Sequence, residues 1–551
     1  MKSANAIVQA LLQENVEVLF GIPSFLTIPI YDVLYHTKEI RHVLARHEQA
    51  ASFMAYAYGM VTGKPGTVLI MDGPAATNIM TGMADAYTGS IPLVAIVGKI
   101  HRGYFDKGAA HELDSTLFKP ITKEIIRVSE PGEIFPAIHK AYAIAVAGRK
   151  GPVCLEIPTD LMNMEVSPEE RGKAPERRDD IQEGAAPDIK KAAKLLASAK
   201  KPLLLAGGGA IASGASQELI ELAEFLGIPV AVSHMGRGVI PDDHPLALGL
   251  VRNNPILVNF IQQSDVVMAV GFKFSQISTY TWTLKVPQKL IHIDVEPKQI
   301  GKNYPAEIAI VGDAKQVLRN LLDTLKNEGK KRKPEEYPRL GEVTEWKNLL
   351  PLRIVPETVP IKPLRLIKGI RNCLDRNAIV ATDVGNSFFW ALFFLEMYLP
   401  RTLLCSSSFS TMGCGLPIAI GAKLTKPEKQ VICLTGDGGF LMNNQELATA
   451  VENKLAIPIV IMNDSGYGAI RHIQDRICQG RYIASNYVSP DFVLMARAFG
   501  ADGILITRPE EIEPSLRAAL KSDRPTILDV RVDGTEKLPQ NRLPGNSEKS
   551  L

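Results

Sequence analysis

The sequence predicts an α/β protein of three consecutive doubly wound parallel-sheet domains, and three observations predict it. Short apolar runs recur along the chain, helix-length stretches separate them, and two polar breaks divide the whole into three blocks. Strands that are apolar throughout and alternate with helices belong to parallel sheets covered on both faces. At 551 residues the chain also exceeds what one hydrophobic core accommodates.

In chain order, the opening MKSANAIVQALLQENVEV reads as an amphipathic helix, because Asn5, Gln9, Gln13 and Glu14 interrupt the apolar run a secretion signal needs. Strands are expected at 66–71 and 92–98 in the first block. The second block, after the charged break at 167–188, has strands at 202–206, 265–271 and 290–295. The break at 327–360 includes the run Lys330-Lys331-Arg332-Lys333, which Glu335 and Glu336 answer and which reads as a solvated linker. The third block has strands at 378–382, 430–435, 458–462 and 526–532 and a helix at 443–452, and the tail after Leu538 has little to bury. The expected domains are therefore 1–166, 189–326 and 360–538.

Composition removes several classes of function. A net charge of +3 over 62 basic and 59 acidic side chains gives no concentrated basic face for nucleic acid. No segment approaches the roughly 20 apolar residues that span a bilayer, so no membrane partner is expected. Six cysteines without a C-x-x-C pair, several in apolar runs, fit a cytoplasmic protein without disulfides.

Ligands of open α/β sheets sit beyond the carboxyl ends of the strands, so residues that follow strands carry the chemistry. Gly436, Asp437, Gly438 and Gly439 follow one strand; Asp464, Ser465, Gly466 and Tyr467 follow the next, with 27 positions from Asp437 to Asp464. Glycines let a backbone approach phosphate oxygens, and a helix start behind them directs amides at the anion. A diphosphate also calls for a hard cation with oxygen ligands, which Asp437, Asp464 and the Gly466 carbonyl can supply. Taken alone, Gly-Asp-Gly is equally a tight turn and Asp464 a helix cap.

This pair of strand ends resembles the cofactor motif of the thiamine-diphosphate enzymes. The first block adds Phe20-Gly21-Ile22-Pro23, Arg46-His47-Glu48-Gln49 and Gly73-Pro74-Ala75-Ala76-Thr77-Asn78; the third adds Thr382-Asp383-Val384-Gly385-Asn386 and Thr411-Met412-Gly413-Cys414-Gly415. In this order they resemble the acetolactate synthase and 2-oxo-acid decarboxylase family over almost the whole chain. The resemblance implies a pyrimidine-binding first domain, a central domain, and a third domain that binds the diphosphate and Mg2+. It implies thiamine diphosphate as cofactor, Glu48 as the carboxylate that activates it, and Met412 as the wedge between its rings. Pro23, Gly385, Asn386, Gly436, Gly438, Gly439, Gly466 and Tyr467 are the further cofactor-binding positions it implies. It also implies a homodimer or homotetramer with sites between chains. Asp464 departs from the Asn usual in the family, which alters the charge of the site.

The reaction expected is cleavage and formation of a carbon–carbon bond on a small 2-oxo acid: decarboxylation, then carboligation, by a lyase or transferase. A non-ligating decarboxylase of the benzoylformate type is the alternative. A catalytically inactive cofactor-binding partner protein is a third reading, against which the retained Glu48, Asp437 and Asp464 weigh. The substrate pocket is assigned to Ser24, Phe25, Ala110, His111 and Ile473, where the chain departs from biosynthetic acetolactate synthases. His111 is the candidate proton donor or acceptor, since imidazole exchanges protons near neutral pH. Gly207-Gly208-Gly209 and Asp294-Val295-Glu296 form a frame that in relatives binds FAD or an adenine nucleotide. A short glycine run after a strand is equally a structural turn, and Lys273-Phe274-Ser275-Gln276-Ile277 replaces the Arg-Phe-Asp-Asp-Arg of flavin-bearing relatives.

Overall fold

A computed structural model of the chain describes residues 1–167, 183–251, 255–287, 289–349 and 355–538. The tail after Leu538 and most of the break at 167–188 lie outside the described residues. Three six-stranded sheets follow one another. The first holds β1 (Val18–Gly21), β2 (Arg41–Leu44), β3 (Gly66–Met71), β4 (Leu93–Lys99), β5 (Glu124–Arg127) and β6 (Pro152–Pro158), in the order β2-β1-β3-β4-β6-β5. The second holds β7 (Pro202–Ala206), β8 (Val230–Val232), β9 (Ala247–Leu250), β10 (Val266–Val270), β11 (Leu290–Asp294) and β12 (Ile308–Val311), in the order β12-β11-β10-β7-β8-β9. The third holds β13 (Ile379–Thr382), β14 (Leu403–Leu404), β15 (Val431–Gly436), β16 (Pro458–Asn463), β17 (Asp502–Ile506) and β18 (Thr526–Arg531), in the order β14-β13-β15-β16-β18-β17.

Neighbouring strands run parallel, as in β15 on β16, where Gly436 pairs with Met462. Both faces of the sheets are covered. Along β7, Leu204 and Ala206 enter one hydrophobic cluster while Leu203 and Leu205 enter another, because successive side chains leave a strand on opposite faces. The expected α/β class with three doubly wound sheets is what forms. The opening helix is Ser3–Gln13 and buries Ile7, Val8 and Leu11.

Two local readings are corrected. The helix expected at 443–452 starts later, at Glu446–Glu452, and an unexpected helix, Asp437–Met442, precedes it; between them the Asn443 side chain donates to the Gly413 carbonyl at 2.7 Å. The basic run is not wholly solvated: the Arg332 guanidinium donates to the carbonyls of Leu226, Ala197 and Ala199 and ties the chain to the second sheet's helices.

The first and third sheets lie in one compact unit, and the second sheet forms the other. Within the first unit, helix Glu48–Thr62 packs between two helices that approach through glycine. A side chain at Gly82 would meet Ser52 Oγ at 2.0 Å, and one at Gly421 would meet the Met54 carbonyl at 2.4 Å. The Ala-rich run Ala50, Ala51, Ala55, Ala57 is therefore what lets three backbones close. Across the same seam the buried Asp85 carboxylate accepts from the Ser407 amide at 2.8 Å and from the Ser407 hydroxyl at 2.6 Å.

Candidate active site

The β15 and β16 ends deliver Asp437 and Asp464 side by side. Asp437 starts helix Asp437–Met442 and is 1% exposed; its Oδ2 accepts from the Gly466 amide and from the Ser489 hydroxyl, each at 3.1 Å. Asp464 is ion-paired with Arg471, Nη2 to Oδ2, at 2.5 Å. Burial raises the Asp437 carboxyl above its ordinary range, opposed by those hydrogen bonds. Burial raises Asp464 to about 7; Arg471 opposes the shift and the nearby Asp437 adds to it. Two neighbouring carboxylates, of which Asp437 discourages the ionisation of Asp464, form an oxygen-donor set suited to a divalent cation.

The surrounding glycines divide by what faces them. A side chain at Gly436 would meet nothing within 4 Å, and neither would one at Gly385, whose φ of +128° favours glycine. These two positions leave the open space that a diphosphate needs. Gly438 is closed instead by Tyr467, 2.7 Å from its virtual Cβ, and Gly439 by the Asp383 carboxyl at 2.9 Å. Asn386 converges on the site too: a side chain at Gly468 would meet Asp464 Oδ2 at 2.2 Å and Asn386 Nδ2 at 2.8 Å.

Asp383 is a residue whose importance the sequence reading missed. It follows β13 as Asp437 follows β15, the same signal. Its buried carboxylate accepts from the amides of Val384 at 2.7 Å, Gly413 at 2.9 Å and Gly415 at 3.0 Å, and so shapes the turn after Met412. Burial lifts its carboxyl to about 6 against those three amides. Ser489 and Arg471 were likewise unassigned, because their partners are set by the fold.

Glu48 is the first residue of helix Glu48–Thr62, capped by His47, whose ring accepts from the Gln49 amide. Its Oε2 accepts from Asn78 Nδ2 at 2.8 Å. Among the described residues no hydrogen bond or ion pair joins it to Asp437 or Asp464. The start of this helix does touch the third block: Glu446 accepts from the Arg46 amide at 2.9 Å, and Asn443 donates to Gln49 at 3.3 Å.

The structure brings two pocket residues together, with the rings of Phe25 and His111 5.3 Å apart and inclined by 58°. Ser24 holds the turn by hydrogen bonds with Thr27, while Pro23, Phe25 and Ala110 are exposed. Ile473 is 42% exposed on helix Gly468–Cys478, on an outer stripe it shares with Ile470 and Ile477, and Met412 is half-buried. In the second unit, the Gly207-Gly208-Gly209 run serves a close chain approach. A side chain at Gly207 would meet the Gly271 carbonyl at 2.0 Å, and the Gly209 amide donates to that carbonyl at 3.1 Å. Among the described residues no helix is long and apolar enough to cross a membrane.

Strand-end carboxylates beside open glycine turns, on paired Rossmann-like sheets, define an enzyme class that holds a diphosphate cofactor. Comparison with known proteins agrees. Residues 1–118 match the N-terminal TPP-binding domain of thiamine pyrophosphate enzymes, 189–321 the central domain, and 383–530 the C-terminal TPP-binding domain. The chain is 40% identical to a probable acetolactate synthase large subunit of Methanocaldococcus jannaschii, over 98% of this chain and 93% of that one. It is 36% identical to the acetolactate synthase isozyme 3 large subunit of Escherichia coli K12, over 97% and 96%, and 36% identical to the Haemophilus influenzae large subunit, over 100% and 98%. The chain belongs to the thiamine pyrophosphate enzymes and, among them, to the acetolactate synthase large-subunit family.

Proposed function

We propose that this enzyme holds thiamine diphosphate through Mg2+ bound by Asp437, Asp464 and the Gly466 carbonyl, decarboxylates a small 2-oxo acid and joins the remaining fragment to a second carbonyl. The observation that carries the reading is the convergence of Asp437 and Asp464 at neighbouring strand ends beside the open turns at Gly436 and Gly385. The donor chemistry fits the group: hard oxygens for the cation, and open backbone for the phosphates. When bound, thiamine diphosphate supplies a carbon nucleophile and a sink for the electron pair released with carbon dioxide.

The chain's own groups divide the remaining work. Glu48, oriented by Asn78, would exchange the proton that activates the cofactor, and Met412 would pack against the bound cofactor. Pro23, Asn386, Gly438, Gly439 and Tyr467 line its bed. His111 holds or releases a proton beside the substrate carbonyl, and Ser24, Phe25, Ala110 and Ile473 set the size of the pocket. Among the described residues Glu48 bonds to Asn78 and to neither Asp437 nor Asp464, which supports sites completed by a second copy in a homodimer or homotetramer. The relatives are named large subunits, which supports a smaller partner subunit here as well. The division at 1–166, 189–326 and 360–538 is supported by one sheet in each. A cytoplasmic location is supported by six cysteines that form no disulfide, five of them buried.

The benzoylformate-type reading draws on the aromatic wall of Phe25 and His111. A panel of 2-oxo acids with product assignment separates the two. A hydroxyketone from pyruvate is the expected result, and aldehyde alone would reject carboligation.

A further inference from the structure

Beneath His111 lies a buried charge cluster outside the groups assigned above. Lys99 ends β4 and is 8% exposed, and its ammonium pairs with Asp72 Oδ2 at 2.8 Å. Asp72, 1% exposed, follows β3; Glu156, in β6, lies 4.0 Å from Lys99 and is paired with Arg127 at 2.9 Å. Two acids and two bases balance. A buried ion pair is weak evidence of stabilisation, since the desolvation it costs rivals the attraction it gains. Its other bonds point to a geometric task.

Lys99 Nζ also donates to the Leu113 carbonyl at 2.7 Å and to Ser115 Oγ at 3.1 Å. Both lie just past His111. On the near side, the Glu112 carboxylate accepts from the amides of Asp106, Gly108 and Ala109 and winds the loop on itself. His111 has φ of +67°, a left-handed conformation that strains a side-chain-bearing residue and persists only when neighbours hold it. Gly73 forms the floor: a side chain there would lie 2.9 Å from His111 Cα. The Gly73 amide donates to Asp72 Oδ1 at 2.9 Å, so one carboxylate ties both the floor and the clamp.

We infer that Lys99, anchored by Asp72, is the positioning residue of His111: it grips the chain two and four residues beyond and presses the imidazole into place beside Phe25. This rests on the reading of His111 as a substrate-facing group. The test uses the full chain with Lys99→Met and, because a lone buried carboxylate endangers folding, the paired Asp72→Asn/Lys99→Met variant. Hydrogen–deuterium exchange of 106–115, which needs no substrate, is expected to rise about tenfold with exchange elsewhere unchanged. The kcat/KM for pyruvate is expected to fall about tenfold, and to fall no further when His111→Ala is already present, because residues acting through one group are not additive. Unchanged exchange would overturn the clamp. Raised exchange with an additive loss of kcat/KM would overturn the link to His111. If His111→Ala alone left kcat/KM unchanged, the substrate reading would fail and the positioning role with it, even with exchange raised.

Discussion

Arg471 places its guanidinium 2.5 Å from the carboxylate of Asp464 and donates a second bond, at 3.3 Å, to the Asp464 carbonyl. As the second acidic group of the proposed cation site, Asp464 would add a negative charge there, and Arg471 offsets it. Asp464→Asn leaves that cation without its partner, so Mg2+-dependent cofactor binding is expected to weaken by about 10- to 100-fold, the scale of neighbours that tune a metal site. Arg471→Gln in the Asp464→Asn background should recover part of it. Titration calorimetry with Mg2+ and thiamine diphosphate reads both, and additive losses would exclude compensation.

Asp437→Ala removes a proposed cation ligand that the Gly466 amide and Ser489 hydroxyl already orient. Cofactor binding at millimolar Mg2+ should become undetectable by titration calorimetry, while the cofactor-free protein loses about 1–3 kcal/mol in urea unfolding for the stranded Gly466 amide.

For Glu48→Gln the expected result separates binding from activation. The amide still meets Asn78, so cofactor affinity is retained, whereas proton exchange at the thiazolium carbon, followed by NMR in deuterium oxide, should slow by about 100-fold or more. Unchanged exchange would end the activating role.

Glu446 makes stability depend on pH. Burial raises its carboxyl from 4.5 to about 7, against the bonds from Thr449 and from the Arg46 and His47 backbone. The folded state therefore binds this proton more tightly than the unfolded chain. The contribution is fully present below about pH 4.5 and is lost as pH rises through about 7. Urea unfolding at pH 5 and pH 8 should show wild type losing more stability over that interval than Glu446→Gln.

Asp383→Ala strands three amides at Val384, Gly413 and Gly415. Each unmet buried donor costs about 1–3 kcal/mol, so a loss of about 3 kcal/mol or more is expected in urea unfolding. Asp383→Asn should lose less, since its amide oxygen still accepts.

The strands legible in the sequence share one property. All nine that the apolar runs mark are interior to their sheets; the six edge strands, β2, β5, β9, β12, β14 and β17, escape. An edge strand exposes part of itself and can carry polar residues there, as Arg41 does on β2 and Asp502 does on β17, so its run is no longer apolar throughout, whereas β9, β12 and β14 escape through shortness, with 4, 4 and 2 residues. Interior strands β1 and β8 escape through shortness, with 4 and 3 residues, and interior β6, with 7, escapes because Glu156 interrupts its apolar run.

What the sequence determined by itself was the α/β class, the strand-end positions of Asp437 and Asp464, and Glu48 at a helix start, because each depends on residues within one strand–turn–helix unit. Only the tertiary structure decided that Arg471 answers Asp464, that Asp383 holds the Met412 turn, that Phe25 faces His111, and that Lys99 reaches past His111 from below. Those relations join segments up to 86 positions apart, as Phe25 and His111 are. No local pattern encodes such a distance; close packing sets it once the sheets and helices have formed.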